Sequence, residues 1–187
     1  MSNSPSLLRN PFSWLASLLL AFSSLAHAAA PAPDRSIAGF EIDFMEDMID
    51  HHAMAVEMAT MCEGKAVHEE RRALCTRIRE TQTQEIAELQ AWLQAWYSDP
   101  YQPEMASSRQ MEKLAQASGA EFEIMFLEMM IKHHAKAVKE ATTCLERAYH
   151  PELLALCQDI IETQTQEIQL MRSWLCQWYS ICRRRQD

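Results

Sequence analysis

The chain is 187 residues long, 48% hydrophobic, and carries a formal net charge of −9 at pH 7. An acidic surface of this kind makes nucleic acid and anionic membrane poor partners, while it suits the attraction of cations. The length allows one domain of ordinary size once an export segment is set aside.

Residues 1–28 read as a signal peptide. Arg9 is their only charge, an apolar run extends from Trp14 to Leu25, and Ala26-His27-Ala28 has the small-x-small form of a cleavage site. The run is short and interrupted by serines, which disfavours an uncleaved anchor needing about 20 apolar residues. Removing Arg9 with this segment leaves 16 basic against 26 acidic residues. Ala-Pro-Ala-Pro at 30–33 marks a flexible leader over 29–37. No later stretch is apolar enough to span a bilayer, so the expected location is the periplasm or the exterior, with no membrane contact after cleavage.

The rest is dominated by a repeat. Residues 40–97 and 122–179 align without a gap at an offset of 82, and 33 of the 58 positions are identical. The matches include His51-His52 with His133-His134, Cys62 with Cys144, Cys75 with Cys157, and Thr-Gln-Thr-Gln-Glu-Ile at 81–86 with 163–168. Trp92, Trp96 and Tyr97 likewise match Trp174, Trp178 and Tyr179. Two copies of one supersecondary unit are implied. Apolar spacing within each copy is helical and no segment alternates as a strand does, so helices are expected over about 38–62, 68–97, 120–145 and 150–181. Gly39, Gly64 and Gly119 fall at repeat starts and in the first hairpin turn, and Pro151 suits a helix first turn.

These elements predict an all-α fold: a four-helix bundle over 38–182, made of hairpin one (38–97), a linker (98–120) and hairpin two (121–181). Helices of about 25–30 residues are some 40 Å long, and the linker can run that distance as a crossover, which would give ferritin-like topology. The alternative is a plain up-down-up-down order with the linker spooled up. A short helix is expected around 107–117.

Six cysteines in an exported chain suggest disulfides. Cys62 and Cys75 are 13 apart, as are Cys144 and Cys157, and each pair brackets a hairpin turn. Cys62–Cys75 and Cys144–Cys157 are the expected bridges, and Cys176 and Cys182, which have no cysteine counterparts in the first copy, are left to close a third near the C-terminus. Free thiolates holding metal are the competing reading.

Five methionines and two histidines fall between Met45 and Met61. On a helix Phe44, Met48, His51, Ala55, Met58 and Cys62 form one stripe, Met54 and Met61 border it, and His52 points about 100° away. Methionine commonly fills cores, and Met45 and Met48 have apolar counterparts in Leu127 and Met130. Met54, Met58 and Met61 instead correspond to Lys136, Glu140 and Thr143, so the architecture tolerates polar groups there. Conversely Asp43 and Asp47 become Met125 and Met129. Each copy adds methionine along the same edge beside its first histidine, at opposite ends of the helix. An antiparallel arrangement would bring the two groups together.

Thioether and imidazole favour Cu(I), with Cu(II) or Ag(I) as alternatives, over Mg, Ca or Mn. The expected ligands are Met48, His51, His52, Met54, Met58, Met61, Met125, Met129, Met130, His133 and His134. The pairs Met48/His51 and Met130/His133 stand where di-iron bundles carry Glu-x-x-His, with sulfur replacing the carboxylate. Gln82, Glu85, Gln164 and Glu167 are placed either to hydrogen-bond the non-ligating histidine nitrogens or to form a register-fixing polar layer. His68 and His150 suit turn or capping roles, and the Trp/Tyr clusters suit core ends. No Gly-rich phosphate loop, Cys-x-x-Cys pair or recognisable nucleophile context occurs, so catalysis is not expected.

The segment 121–138, with Met-Ile-Lys-His-His at its centre, and the Gln-x-x-Glu-Ile and Trp-Leu elements of 82–93 and 164–175 resemble the domain of unknown function 305 family. That family includes the CopM-type periplasmic copper-binding proteins. The resemblance spans about 38–181. It implies a ferritin-like bundle that sequesters or delivers copper in the cell envelope, with copper ions and a second copper-trafficking protein as partners. By position it points to Met48, His51, His52 and Met58, and to Met129, Met130, His133 and His134. The methionine seven residues after the first histidine is Met58 in copy one but Glu140 in copy two. A ferritin-like di-metal enzyme, using Glu85, Glu167, Glu46 and Glu128, and a structural or interaction bundle are the alternative readings.

Overall fold

A computed structural model describes residues 30–104 and 108–182, and within them all regular structure is helical. The helices are α1 (Arg35–Lys65), α2 (Glu69–Trp92), α3 (Arg109–Gln116), α4 (Gly119–Arg147) and α5 (Pro151–Tyr179). The signal peptide and the Arg183-Arg184-Arg185 tail lie outside the described residues. None of the described helices is long and apolar enough to cross a membrane.

The helix ends follow from local chemistry. Asp34 caps α1 by accepting from the Ser36 and Ile37 amides at 2.7 and 3.2 Å, so the helix begins inside the expected leader. Ser108 does the same for α3 through the Met111 amide at 3.2 Å. Gly119 opens α4 at φ 56, a left-handed conformation that a side chain would strain. The expected helix over 68–97 keeps α geometry only to Trp92 and widens into a π-turn over Leu93–Tyr97. Ser98 and Ser180, equivalent in the repeat, end the second helix of each unit at φ 58.

Each unit is a stapled hairpin. Cys62–Cys75 joins α1 to α2 with Cα atoms 6.0 Å apart, and Cys144–Cys157 joins α4 to α5 at 6.3 Å. Cys176–Cys182 ties the chain back onto α5. These are the pairs expected from spacing, and none of the six cysteines is left free to bind metal.

The two hairpins are locked head to tail by two buried carboxylates. Glu41 at the start of α1 accepts from the Tyr149 and His150 amides at 2.7 and 3.0 Å, from the His150 ring at 2.6 Å and from the Tyr97 hydroxyl at 2.5 Å. Its repeat mate Glu123 accepts from the Val67 and His68 amides at 2.6 and 3.2 Å and from the His68 ring at 2.8 Å, with Tyr179 and Arg71 alongside. Neither His68 nor His150 caps its own helix by a side-chain bond. Each rests instead against tryptophan, Trp178 at 3.9 Å and Trp96 at 3.8 Å between ring centroids. Buried amides at a helix entrance need a partner, and the opposite hairpin supplies it.

These contacts fix direction. Glu41 meets the α4–α5 turn while Glu123 meets the α1–α2 turn, so α1 and α4 run antiparallel. The linker travels along α1: the Tyr101 hydroxyl and Glu104 amide bond Asp50 at 2.9 and 2.7 Å, and the Lys65 ammonium reaches the Ala117 carbonyl at 3.0 Å. Its described parts thus touch α1 near Asp50 and near Lys65. Apolar burial divides into two clusters, one around Met58, Leu74, Ile78, Phe122 and Phe126, the other around Phe44, Met45, Leu89, Leu153 and Ile160. Each fully buried side chain of this kind stabilises by about 1.5–3 kcal/mol.

Candidate metal centre

Between the two apolar clusters lies a layer of polar side chains. The α1 stripe read from the sequence is buried, and it carries His51 and His52 inward together with Met48, Met58 and Cys62. Antiparallel pairing sets His51 of α1 against His133 of α4, their ring centroids 3.5 Å apart and their planes inclined by 30°. His52 and His134 each sit 6.2 Å from the histidine before them in sequence and are fully buried.

Hydrogen bonding leaves part of every ring free. His133 donates from Nε2 to the His51 carbonyl at 3.0 Å, which leaves Nδ1 without a partner. His134 Nε2 is 2.7 Å from Glu167, and His52 Nε2 is 2.7 Å from Glu85. In both, Nδ1 is buried and unpartnered. His51 has neither ring nitrogen satisfied, and His52 likewise, because its Nε2 lies near Glu85 without hydrogen-bond geometry. Burial, with the neighbouring histidines adding to it, drives the His51 pKa down to about 2 and the His133 pKa down to about 3. Both rings are therefore neutral at pH 7, the form that offers a lone pair to a metal.

The methionines divide unevenly. Met58 and Met130 are buried in one apolar cluster, and Met54, Met61, Met125 and Met129 pack against it. With His51 set against His133 and the helices antiparallel, the Met54–Met61 stretch of α1 is level with Met125–Met130 of α4, and both groups belong to or border the one cluster. Met48 does not join them. It lies in the other cluster, on the far side of the histidine layer, with Met45. At the pseudo-symmetric end, the methionine positions are taken by Asp43, Asp47, Glu140 and Thr143, which with Phe40 and Phe44 line a hollow of about 240 Å³. Met125 and Met129 themselves line an open hollow of about 230 Å³ with Gln110, Lys113, Glu128 and Lys132.

Two thioethers were not singled out from the sequence. Met111 of α3 and Met171 of α5 are buried in the same cluster as Met58. Met111 lies outside the repeat, so the internal comparison is silent on it, and Met171 faces an apolar counterpart, Leu89, that makes it look like packing.

The carboxylates of a di-metal centre do not assemble. Glu85 and Glu167 are engaged by histidine, and Glu128 is exposed. Burial and a hydrogen bond to Asp99 push the Glu46 carboxyl upward, which sets it among the acidic groups of α1 and the linker. Among the described residues no three His, Cys, Asp or Glu side chains are grouped so as to hold an ion.

Fold and site together define a duplicated helical protein with a histidine–methionine interior. Residues 41–175 match the Domain of unknown function (DUF305), and the chain belongs to that family. Among solved structures it is similar to CopM in the Cu(I)-bound form, at 35% identity over 74% of this chain and 97% of that one, with a TM-score of 0.69. CopM in the Cu(II)-bound form aligns at 34% identity over 74% and 97%, with a TM-score of 0.68, and CopM has also been seen with silver. A DUF305 protein of Streptomyces coelicolor aligns at 29% identity over 73% and 92%, with a TM-score of 0.68. A comparison with curated proteins gave no match.

Proposed function

We propose that this chain is an exported copper-binding protein that holds Cu(I) through methionine sulfur and histidine nitrogen, and that it sequesters or hands over copper in the periplasm without catalysing a reaction. The observation carrying this reading is the set of buried ring nitrogens without partners on His51, His52, His133 and His134, directly beside the methionine seam. A buried polar atom left unpaired costs about 1–3 kcal/mol, so four rings gathered in one layer make sense as a site that a ligand completes. Neutral imidazoles and thioethers are intermediate and soft donors, which suit Cu(I) and Ag(I).

Met54, Met58, Met61, Met125, Met129 and Met130 are the sulfur donors in this account, with His51 and His133 nearest to them along their helices. Met48 and Met130, one turn before the two histidine pairs, sit on opposite sides of the layer, so Met48 serves only a site on the far side. The head-to-tail hairpins and the linker running beside α1 support a four-helix bundle with a ferritin-like crossover. The three disulfides and the leader features of residues 1–28 support export, and CopM supports copper or silver as cargo. A copper-trafficking protein is the partner such a role requires.

Anaerobic titration with Cu(I) against a competing chelator tests this. Wild-type protein should take up Cu(I), and replacing Met54, Met58 and Met61 together by leucine should weaken binding at least tenfold with helix content unchanged. Equal affinity in the two proteins rejects the sulfur assignment.

A further inference from the structure

The inner histidine of each pair differs from the outer one in having a carboxylate of its own. His52 Nε2 lies 2.7 Å from Glu85 Oε2, and His134 Nε2 lies 2.7 Å from Glu167 Oε2, the same pairing built twice from residues 82 positions apart. Both imidazoles are fully enclosed and both Nδ1 atoms are buried with no partner; the His134–Glu167 contact is a hydrogen bond, whereas His52 Nε2 and Glu85 Oε2 lie at the same distance without hydrogen-bond geometry. A carboxylate can only accept a hydrogen bond, so it fixes the ring proton on Nε2 and leaves the lone pair of a neutral imidazole on Nδ1. An amide at the same place could either donate or accept, and would leave the tautomer open.

Gln82 and Gln164 stand one turn before these carboxylates. Their Oε1 atoms are buried and unpartnered, although each residue is only 3% exposed. They line the same small hollow as Glu85 and Glu167, yet neither bonds a histidine. A layer serving only to fix helix register would be satisfied by any mutual polar pairing. Here each carboxylate lies against the Nε2 edge of an imidazole, and each imidazole keeps Nδ1 free.

We infer that Glu85 and Glu167 are positioning residues that set the tautomer of His52 and His134 and so present Nδ1, rather than Nε2, as the donor atom of the inner histidines. This deepens the copper-binding reading and rests on it. His133 reaches the same state as His134 by another route, its Nε2–H donating to the His51 carbonyl, so these two rings have Nε2 engaged and Nδ1 free. Partners of this kind orient a ligating ring and raise its basicity, and losing them typically weakens metal binding by about 10–100-fold.

The test uses the mature full-length chain labelled with 15N at histidine. Nitrogen–proton correlation spectra of the metal-free wild type at a fixed pH of 7.5 should show His52 and His134 with the proton on Nε2 and a bare Nδ1. Addition of Ag(I) should then shift Nδ1 and not Nε2. In the isosteric double variant Glu85→Gln/Glu167→Gln, the two rings should become mixtures of tautomers. Anaerobic Cu(I) affinity should fall about 10–100-fold while the thermal melt and the His68 and His150 signals stay in place. Protons found on Nδ1 in the wild type, a silver shift at Nε2, or a variant that keeps both tautomer and affinity would each overturn the inference. The wild-type spectra decide even if the variant does not fold. Wild-type protein that binds no Cu(I) or Ag(I) would instead sink the underlying copper reading.

Discussion

His51 and His133 are held neutral by burial, and this has a consequence for the metal-free protein. Their folded-state pKa values, about 2 and about 3, lie below the ordinary value of 6.5, so the unfolded chain binds protons more readily than the folded one. Stability is fully present above pH 6.5 and is lost as pH falls toward those depressed values. Glu41 adds a second, lower window. Burial would raise its pKa, but bonds from Tyr97, His150 and Tyr149 outweigh that and hold it below the ordinary 4.5, so its contribution disappears only on further acidification. The melting temperature of metal-free protein should therefore fall between pH 7.5 and pH 5. His51→Gln/His133→Gln should flatten this dependence, and calorimetry across that range checks it. A wild-type slope retained in the variant contradicts the account. At this scale the repeat made much of the layer legible, because a residue polar in one copy and methionine in the other is hard to explain by packing. It gave no sign that Met48 falls on the far side of the layer, since grouping across the molecule depends on how the hairpins dock.

At the scale of elements, the staples and the carboxylate locks hold together two hairpins that also share apolar packing and a polar hollow between α2 and α5. Closing a loop of 13 residues by Cys62–Cys75 should contribute about 3 kcal/mol by constraining the unfolded chain. Cys62→Ser/Cys75→Ser should lower stability by about that amount in urea melts while leaving the second hairpin intact. No loss would mean the bridge is incidental to the fold. Glu123→Gln should be costlier than an exposed substitution, because the amides of Val67 and His68 and the Arg71 guanidinium all converge on that carboxylate. A loss of about 3–5 kcal/mol is expected from removing one partner of a buried ion pair. A loss under about 1 kcal/mol would show that this lock carries no weight. Helix periodicity and cysteine spacing gave the elements away. The locks stayed hidden because Glu41 and Glu123 each reach the turn of the other hairpin, a relation no local pattern encodes. The early start of α1 was legible after all, in Asp34 two residues before Ser36.

For the whole molecule, duplication explains both the symmetry and its break. The histidine layer, the inner Glu–His pairs and the end locks fall at matching positions of the two units, although Arg71 joins only the Glu123 lock and only His134 is hydrogen-bonded to its carboxylate. The methionine seam does not: at one end it gathers Met54, Met58, Met61, Met125 and Met129, and at the other the same positions carry the exposed Asp43 and Asp47 and the half-buried Glu140. One scaffold thus carries a methionine-rich end and an acidic end, and the proposed copper site belongs to the first. The most direct test is X-ray absorption at the copper edge of protein loaded anaerobically with one Cu(I) per chain. A mixed shell of sulfur and imidazole nitrogen, losing sulfur when Met54, Met58 and Met61 become leucine, is the predicted result. A shell of nitrogen and oxygen alone, unchanged in that variant, would contradict it.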